Sequence, residues 1–83
     1  MKKTIENFIK NNELVFKDGH RNVSLVIICG YSLYKNIPLN DLINFFKNDE
    51  RTLKELKRVY DYAKDNNYDK FWKTEKAKKQ YIF

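Results

Sequence analysis

Residues that staple, bend or ligate are scarce in this sequence: one cysteine, one histidine, one proline and two glycines among 83 residues. A single cysteine excludes an intramolecular disulfide, and one cysteine with one histidine cannot build the usual structural zinc site. With only Gly19, Gly30 and Pro38 to punctuate the backbone, a β-rich fold would be short of turn residues. Long apolar runs are missing as well. The longest, Val23 to Tyr34, is interrupted by Ser24, Gly30 and Ser32 and falls far short of the ~20 residues of a bilayer span. No apolar run follows Met1-Lys2-Lys3-Thr4, so no signal peptide is expected. The expected location is the cytoplasm, with no membrane contact and Cys29 kept reduced. There is no glycine-rich phosphate loop and no Asp-x-Asp pair to hold two magnesium ions. His20 and Cys29 are the one conceivable base and nucleophile, but Cys29 lies in the most apolar segment and reads as a buried structural thiol. A protein without catalysis, metal or cofactor is the expectation.

What remains is enough for one helical domain, residues 1–83. A chain of this length buries only roughly 60% of its unfolded surface, so packing must supply the stability, or a partner must complete the core. Five helical segments can be read. Ile5, Phe8 and Ile9 share one face of a helix from about Lys3 to Asn11. Leu14-Val15-Phe16 follows as an extended piece, and Asp18-Gly19 is a turn signal. Asn22 is the expected N-cap of a second, central helix that ends near Asn36. A strand at Ser24 to Cys29 is its competitor, since Val-Ile-Ile is β-prone. Pro38 fixes the start of a third helix, Leu39 to Lys47, with Leu42, Ile43 and Phe46 as its buried stripe and Phe45 beside them. Thr52 and Glu55 form an expected capping box for a fourth, whose core face is Leu53, Leu56, Val59, Tyr60 and Ala63. A fifth helix, Asp69 to about Lys79, with Tyr68, Phe71 and Trp72 packing inward, belongs to an exposed basic and aromatic segment, residues 68–83. Together these give an all-α bundle of four to five helices.

The functional signal is positive charge beside aromatic rings. There are 17 basic against 11 acidic side chains, a formal charge of +6. Arg51, Lys54, Arg58 and Tyr62 recur at spacings of three and four, forming one stripe opposite the core face of the fourth helix. Lys73 and Lys76 belong to a lysine-rich stretch near the end. Neutralising phosphates and stacking bases on aromatic rings is how sequence-tolerant single-strand binding works. The plainer reading is a solvated helix face, diluted by Asp61, Asp65 and Asp69. The six tyrosines, six phenylalanines and one tryptophan exceed what so small a core readily encloses. Phe71, Trp72, Tyr81, Ile82 and Phe83 are therefore the expected partner-binding surface. For Gln80 to Phe83 three readings stand: an anchor for a larger chain, a tail folded back on the core, or a variant of the peptides that bind sliding clamps.

The order of motifs also carries a likeness. Gly19-His20-Arg21-Asn22 opens an apolar helix. Tyr34-Lys35-Asn36-Ile37-Pro38 and the short helix Leu39 to Phe46 follow, and then Leu53-Lys54-Glu55-Leu56-Lys57-Arg58-Val59-Tyr60 and Tyr62. From about Phe16 to Tyr62 this resembles the PriCT-type helical domain found C-terminal to primase-polymerase catalytic domains of plasmids, phages and mobile elements. Where that family has a small residue and then Thr or Ala-Leu, this chain has Val23-Ser24-Leu25. The resemblance implies a bundle that helps a primase hold its single-stranded template or initiating nucleotide. A free-standing copy would be an accessory subunit of a larger polymerase- or primase-like chain. Arg21 and Asn22 would orient the helix start, and Arg21 would also reach a phosphate; a turn and cap with no ligand is the alternative for both. Two other classes fit the same sequence. One is a protein inhibitor of the anti-defence type. The other is a helix-turn-helix regulator using Leu39 to Asn67, with Arg51, Lys54 and Arg58 in the major groove.

Overall fold

A computed structural model describes residues 2–83. Within them the chain forms α1 (Lys2–Asn11), α2 (Arg21–Tyr34), α3 (Leu39–Phe45), α4 (Glu50–Asp65), a 3-10 helix (Tyr68–Lys73) and α5 (Glu75–Gln80), with no strand among the described residues. The Cα radius of gyration is 11.7 Å, against about 11.8 Å for a packed chain of this length. The residues therefore close around one core. The all-α bundle expected from the periodicities is the fold.

The β-prone Val-Ile-Ile run is helical because α2 is the element against which α4 and the 3-10 helix both pack. Leu25, Ile28, Cys29 and Tyr31 are buried in that seam, and tertiary burial outweighs their weak strand preference. Burial does not run all round the helix. Val26 and Ile27 are half-buried, and Val23 is 62% exposed. Phe8 of α1 stacks flat on Tyr31, with centroids 3.8 Å apart, and Trp72 meets both rings edge-on at 5.5 and 5.4 Å. Trp72 sits there because position 30 is glycine. A Cβ at Gly30 would lie 2.8 Å from the indole Nε1, closer than side chains tolerate.

Both expected N-caps are replaced by neighbours. The cap of α2 lies two residues earlier than expected, at His20, whose side chain makes no cap bond, and Asn22 is exposed within the first turn. Gly19, at φ +90°, turns the chain so that the Arg21 N–H donates to the Lys17 carbonyl at 2.8 Å. At α4 the cap is Asp49, whose carboxylate accepts from the Thr52 N–H at 3.2 Å. Thr52 is fully buried rather than terminal, and Glu55 pairs with Arg58 instead of reaching back. The box fails because an aspartate three residues before Thr52 competes for the same donors.

The helix ends are more regular. After α1 the Glu13 N–H donates to the Lys10 carbonyl and the Leu14 N–H to the Ile9 carbonyl, the paired bonds of a Schellman motif. Asn36 and Ile37 repeat it after α2, donating to Leu33 and Ser32. Glu13, Asn36 and Asn67 all take positive φ, at 53°, 60° and 54°. Ile37 is thereby driven into the core, 1% exposed, and its carbonyl accepts from the Tyr60 hydroxyl at 3.2 Å. Ile43, expected in the buried stripe, is 39% exposed because the short α3 turns only Leu42 inward, with Phe46 beyond its end. The expected fifth helix is broken at Thr74. That residue is extended, its hydroxyl donates to the Phe71 carbonyl at 2.7 Å, and its oxygen caps α5 at Ala77.

Candidate nucleic-acid face and apolar groove

The four residues of the α4 stripe lie together on its outer face, and all are exposed. From Arg51 to Tyr62 the stripe runs about 16 Å along the helix axis. Arg51 donates to Asp18 at 2.9 Å and Arg58 to Glu55 at 3.3 Å, with both guanidinium side chains mostly in solvent. Such exposed pairs are weak and exchange readily for a phosphate. Lys54 has no carboxylate within 4.0 Å among the described residues. Tyr62, 52% exposed, ends the stripe and meets the Tyr68 ring edge-on at 5.6 Å. These are cations with an aromatic platform, the minimum a phosphate backbone with unstacked bases requires.

Arg21 does not belong to this face. Its side chain is only 13% exposed and spends its donors on the fold: Nε to the Thr52 hydroxyl at 3.2 Å, one terminal nitrogen to Asp18 at 2.8 Å, the other to the Phe16 carbonyl at 3.2 Å. The expectation that it reaches a phosphate is corrected accordingly. It ties the start of α2 to the start of α4, where the Thr52 hydroxyl passes the chain of bonds on to Asp49 at 2.6 Å. Asp18 is held below the usual carboxylate range by the hydrogen bond from Arg21 first and by the charge of Arg51 next. Asp49 is lowered mainly by the Thr52 hydroxyl. Lys73 and Lys76 are exposed but do not extend the stripe. Lys73 leans toward Asp69 at 3.9 Å, and Lys76 rides on α5, which packs on the 3-10 helix and not on α4.

The expected partner surface divides. Trp72 is 3% exposed and is core, as inward packing of this segment predicts, and so does not belong to the expected partner-binding surface. Phe71 and Tyr81 are half-buried against it, at 5.4 and 4.8 Å. The segment 68–83 is thus basic on its surface while most of its rings turn inward. Ile82 and Phe83 stay exposed, at 58% and 40%, yet the tail is folded back. The Asn12 side-chain amide donates to the Ile82 carbonyl at 2.7 Å and accepts from the Ile82 N–H at 2.7 Å, and the Phe83 ring stands edge-on to Tyr31 and Tyr34 at 5.8 Å. Beside this cluster Val26, Ile27, Tyr68, Phe71, Trp72 and Tyr81 line an apolar groove of about 330 Å³. Its α2 wall was not foreseen, and the signal was there: Val23, Val26 and Ile27 recur at helical spacing opposite Leu25, Ile28 and Cys29.

Cys29 is buried, and burial pushes its thiol up to about 12, so it is not a nucleophile at neutral pH. His20 lies some 13 Å away along the axis of α2, so the two do not form a pair. Among the described residues no three His, Cys, Asp or Glu side chains gather where a metal ion could sit, and no helix is long and apolar enough to cross a membrane. In comparisons with known proteins the chain matches no family model, no curated protein and no solved structure.

Proposed function

We propose that this protein is a non-catalytic, cytoplasmic accessory subunit that holds single-stranded DNA for a larger polymerase- or primase-like chain of a mobile genetic element. The observation that carries the reading is the exposed α4 stripe, where Arg51, Lys54, Arg58 and Tyr62 share one solvent-facing side of the helix. The arginines are paired only to exposed carboxylates, so phosphates can displace those partners without disturbing the core. Tyr62, 52% exposed, offers ring surface to a base. The helix order from Gly19 to Tyr62, with its likeness to the PriCT-type domain, supports template holding in particular.

Fluorescence anisotropy with a labelled single-stranded oligonucleotide tests this directly. Three phosphate contacts should give a slope of about −2 in log affinity against log salt. Changing Arg51, Lys54 and Arg58 to Glu should abolish binding while leaving the helical circular dichroism unchanged. Binding that ignores salt, or that survives the triple change, would refute the role of this face. Preference for duplex over single strands would favour the helix-turn-helix reading. Primer synthesis by the purified chain alone would refute the subunit reading.

A further inference from the structure

We propose that the apolar groove between α2 and the 3-10 helix binds an acidic amphipathic segment of a partner protein. This deepens the subunit reading above by giving the larger chain a place to attach, on different elements from the α4 stripe. Three features of the groove argue for it. The floor and walls are side chains with little polar surface: Val26 and Ile27 from one side, Tyr68, Phe71 and Tyr81 from the other, with the edge of Trp72 between them. Val23 continues the α2 wall outward and is 62% exposed, so the apolar strip does not end where the groove does. At about 330 Å³ the concavity has room for a few apolar side chains, which is what a helix or extended peptide delivers at alternate turns or residues.

Charge selects the occupant. From Asn22 to Tyr34 the α2 wall carries no charged side chain at all. The opposite wall belongs to residues 68–83, where Lys70, Lys73, Lys76, Lys78 and Lys79 stand against Asp69 and Glu75, a net of +3. Lys73 and Lys78 lie within 4.0 Å of those two carboxylates, at 3.9 and 3.7 Å. Lys70, Lys76 and Lys79 have no carboxylate within that distance among the described residues. An apolar slot with one wall supplied by a segment of net charge +3 is complementary to a segment with apolar anchors flanked by Glu or Asp. A second copy of this chain would bring the same net positive segment against itself. A lipid surface asks for protruding apolar side chains rather than a concave slot.

Trp72 is the only tryptophan and its indole lines the groove, so its emission reports occupancy without a label. The probe is a synthetic helical peptide of about 15 residues, four turns, with Leu and Phe on one stripe and Glu elsewhere. Its control replaces every Glu by Lys. Added to the full chain, the acidic peptide should shift Trp72 emission saturably, with affinity falling as salt rises. The basic control should bind at least about tenfold more weakly. Reversing Lys70, Lys76 and Lys79 to Glu changes only exposed residues and should weaken the acidic peptide by a similar factor. Ile27→Glu should abolish the shift. Equal affinity for both peptides, or no saturation, would overturn the proposal. So would a Trp72 shift produced only by vesicles of phosphatidylglycerol and phosphatidylcholine, or a dimer that closes the groove in sedimentation. The Arg51, Lys54 and Arg58 to Glu variant should bind the acidic peptide unchanged. Loss of peptide binding with single-strand binding intact would refute the groove alone, and the reverse would refute the α4 face alone.

Discussion

The two ends of α2 are held by opposite chemistries. At the start, Arg21, Asp18, Thr52 and Asp49 form a chain of directional hydrogen bonds between two helix N-termini. Nine residues on, around Gly30 and Tyr31, the same helix is gripped by rings: Phe8 flat on Tyr31, and Trp72 edge-on to both. The polar end fixes direction and register, because only one arrangement satisfies its donors. The aromatic end supplies buried area, which is less particular about geometry and larger in energy. A helix that is apolar along most of its length needs both. Area alone would let it slide against α4, and hydrogen bonds alone would leave it weakly held.

The sharpest way to break the comparison is at the aromatic end. Trp72→Ala should cost about 3–5 kcal/mol in urea unfolding, since it opens a cavity over Gly30 and strips Phe8, Tyr31 and Tyr81 of a partner. A loss below about 1 kcal/mol would mean the ring is not core. The polar end should give less. Thr52→Val keeps the shape of a fully buried side chain and deletes the hydroxyl between Arg21 and Asp49, for an expected loss of about 1–2 kcal/mol.

In acid, the polar end is the one of the two that should feel pH, since the buried Cys29 and Tyr31 of the other end titrate only in alkali. Asp18 and Asp49 both have folded pKa values depressed below the unfolded ones. Their contribution is therefore complete above the ordinary carboxylate range, about pH 4, and is lost as pH falls through it toward the folded values. Acid should destabilise the native chain more than Thr52→Val, in which the main cause of the Asp49 shift is gone. Equal acid sensitivity in the two would show that this network is not what titrates.

The smallest effect lies at a third helix end, outside both grips. Asn36 and Asn67 suit their left-handed positions, but Glu13 at φ 53° does not. Glu13→Gly should raise stability by about 0.5–1 kcal/mol, measured as a shift of the urea midpoint at constant slope. No gain would mean that the side chain of Glu13 compensates its backbone.

Much of the fold could be read from spacing. Ile5 and Phe8, Leu56, Val59 and Ala63, and the buried stretch of α2 all fall where a helical period puts them. What could not be read was settled by competition between neighbours. Asp49 took the cap from Thr52, Arg21 went to the fold rather than outward, and Ile37 is in the core where Ile43 is not. Each depends on what the folded surroundings bring within reach of the residue, and linear spacing does not encode that. The α4 stripe was legible because an exposed face needs only its own periodicity. The groove was not, because its walls come from α2 and from residues some forty positions later, brought together by the slot at Gly30.

That slot has a consequence for how the chain is made. Synthesis runs from α1 toward α5, so the helices that frame Gly30 exist before the indole that fills the space above it. Until residue 72 arrives, Phe8 and Tyr31 have water where their third ring belongs, and nothing yet ties Asn12 to Ile82 across 70 positions. The bundle is thus completed from its far end inward. A nascent chain paused after α4 would present an open aromatic seam, which makes the stretch from Tyr68 onward the step at which a sticky intermediate becomes a closed protein.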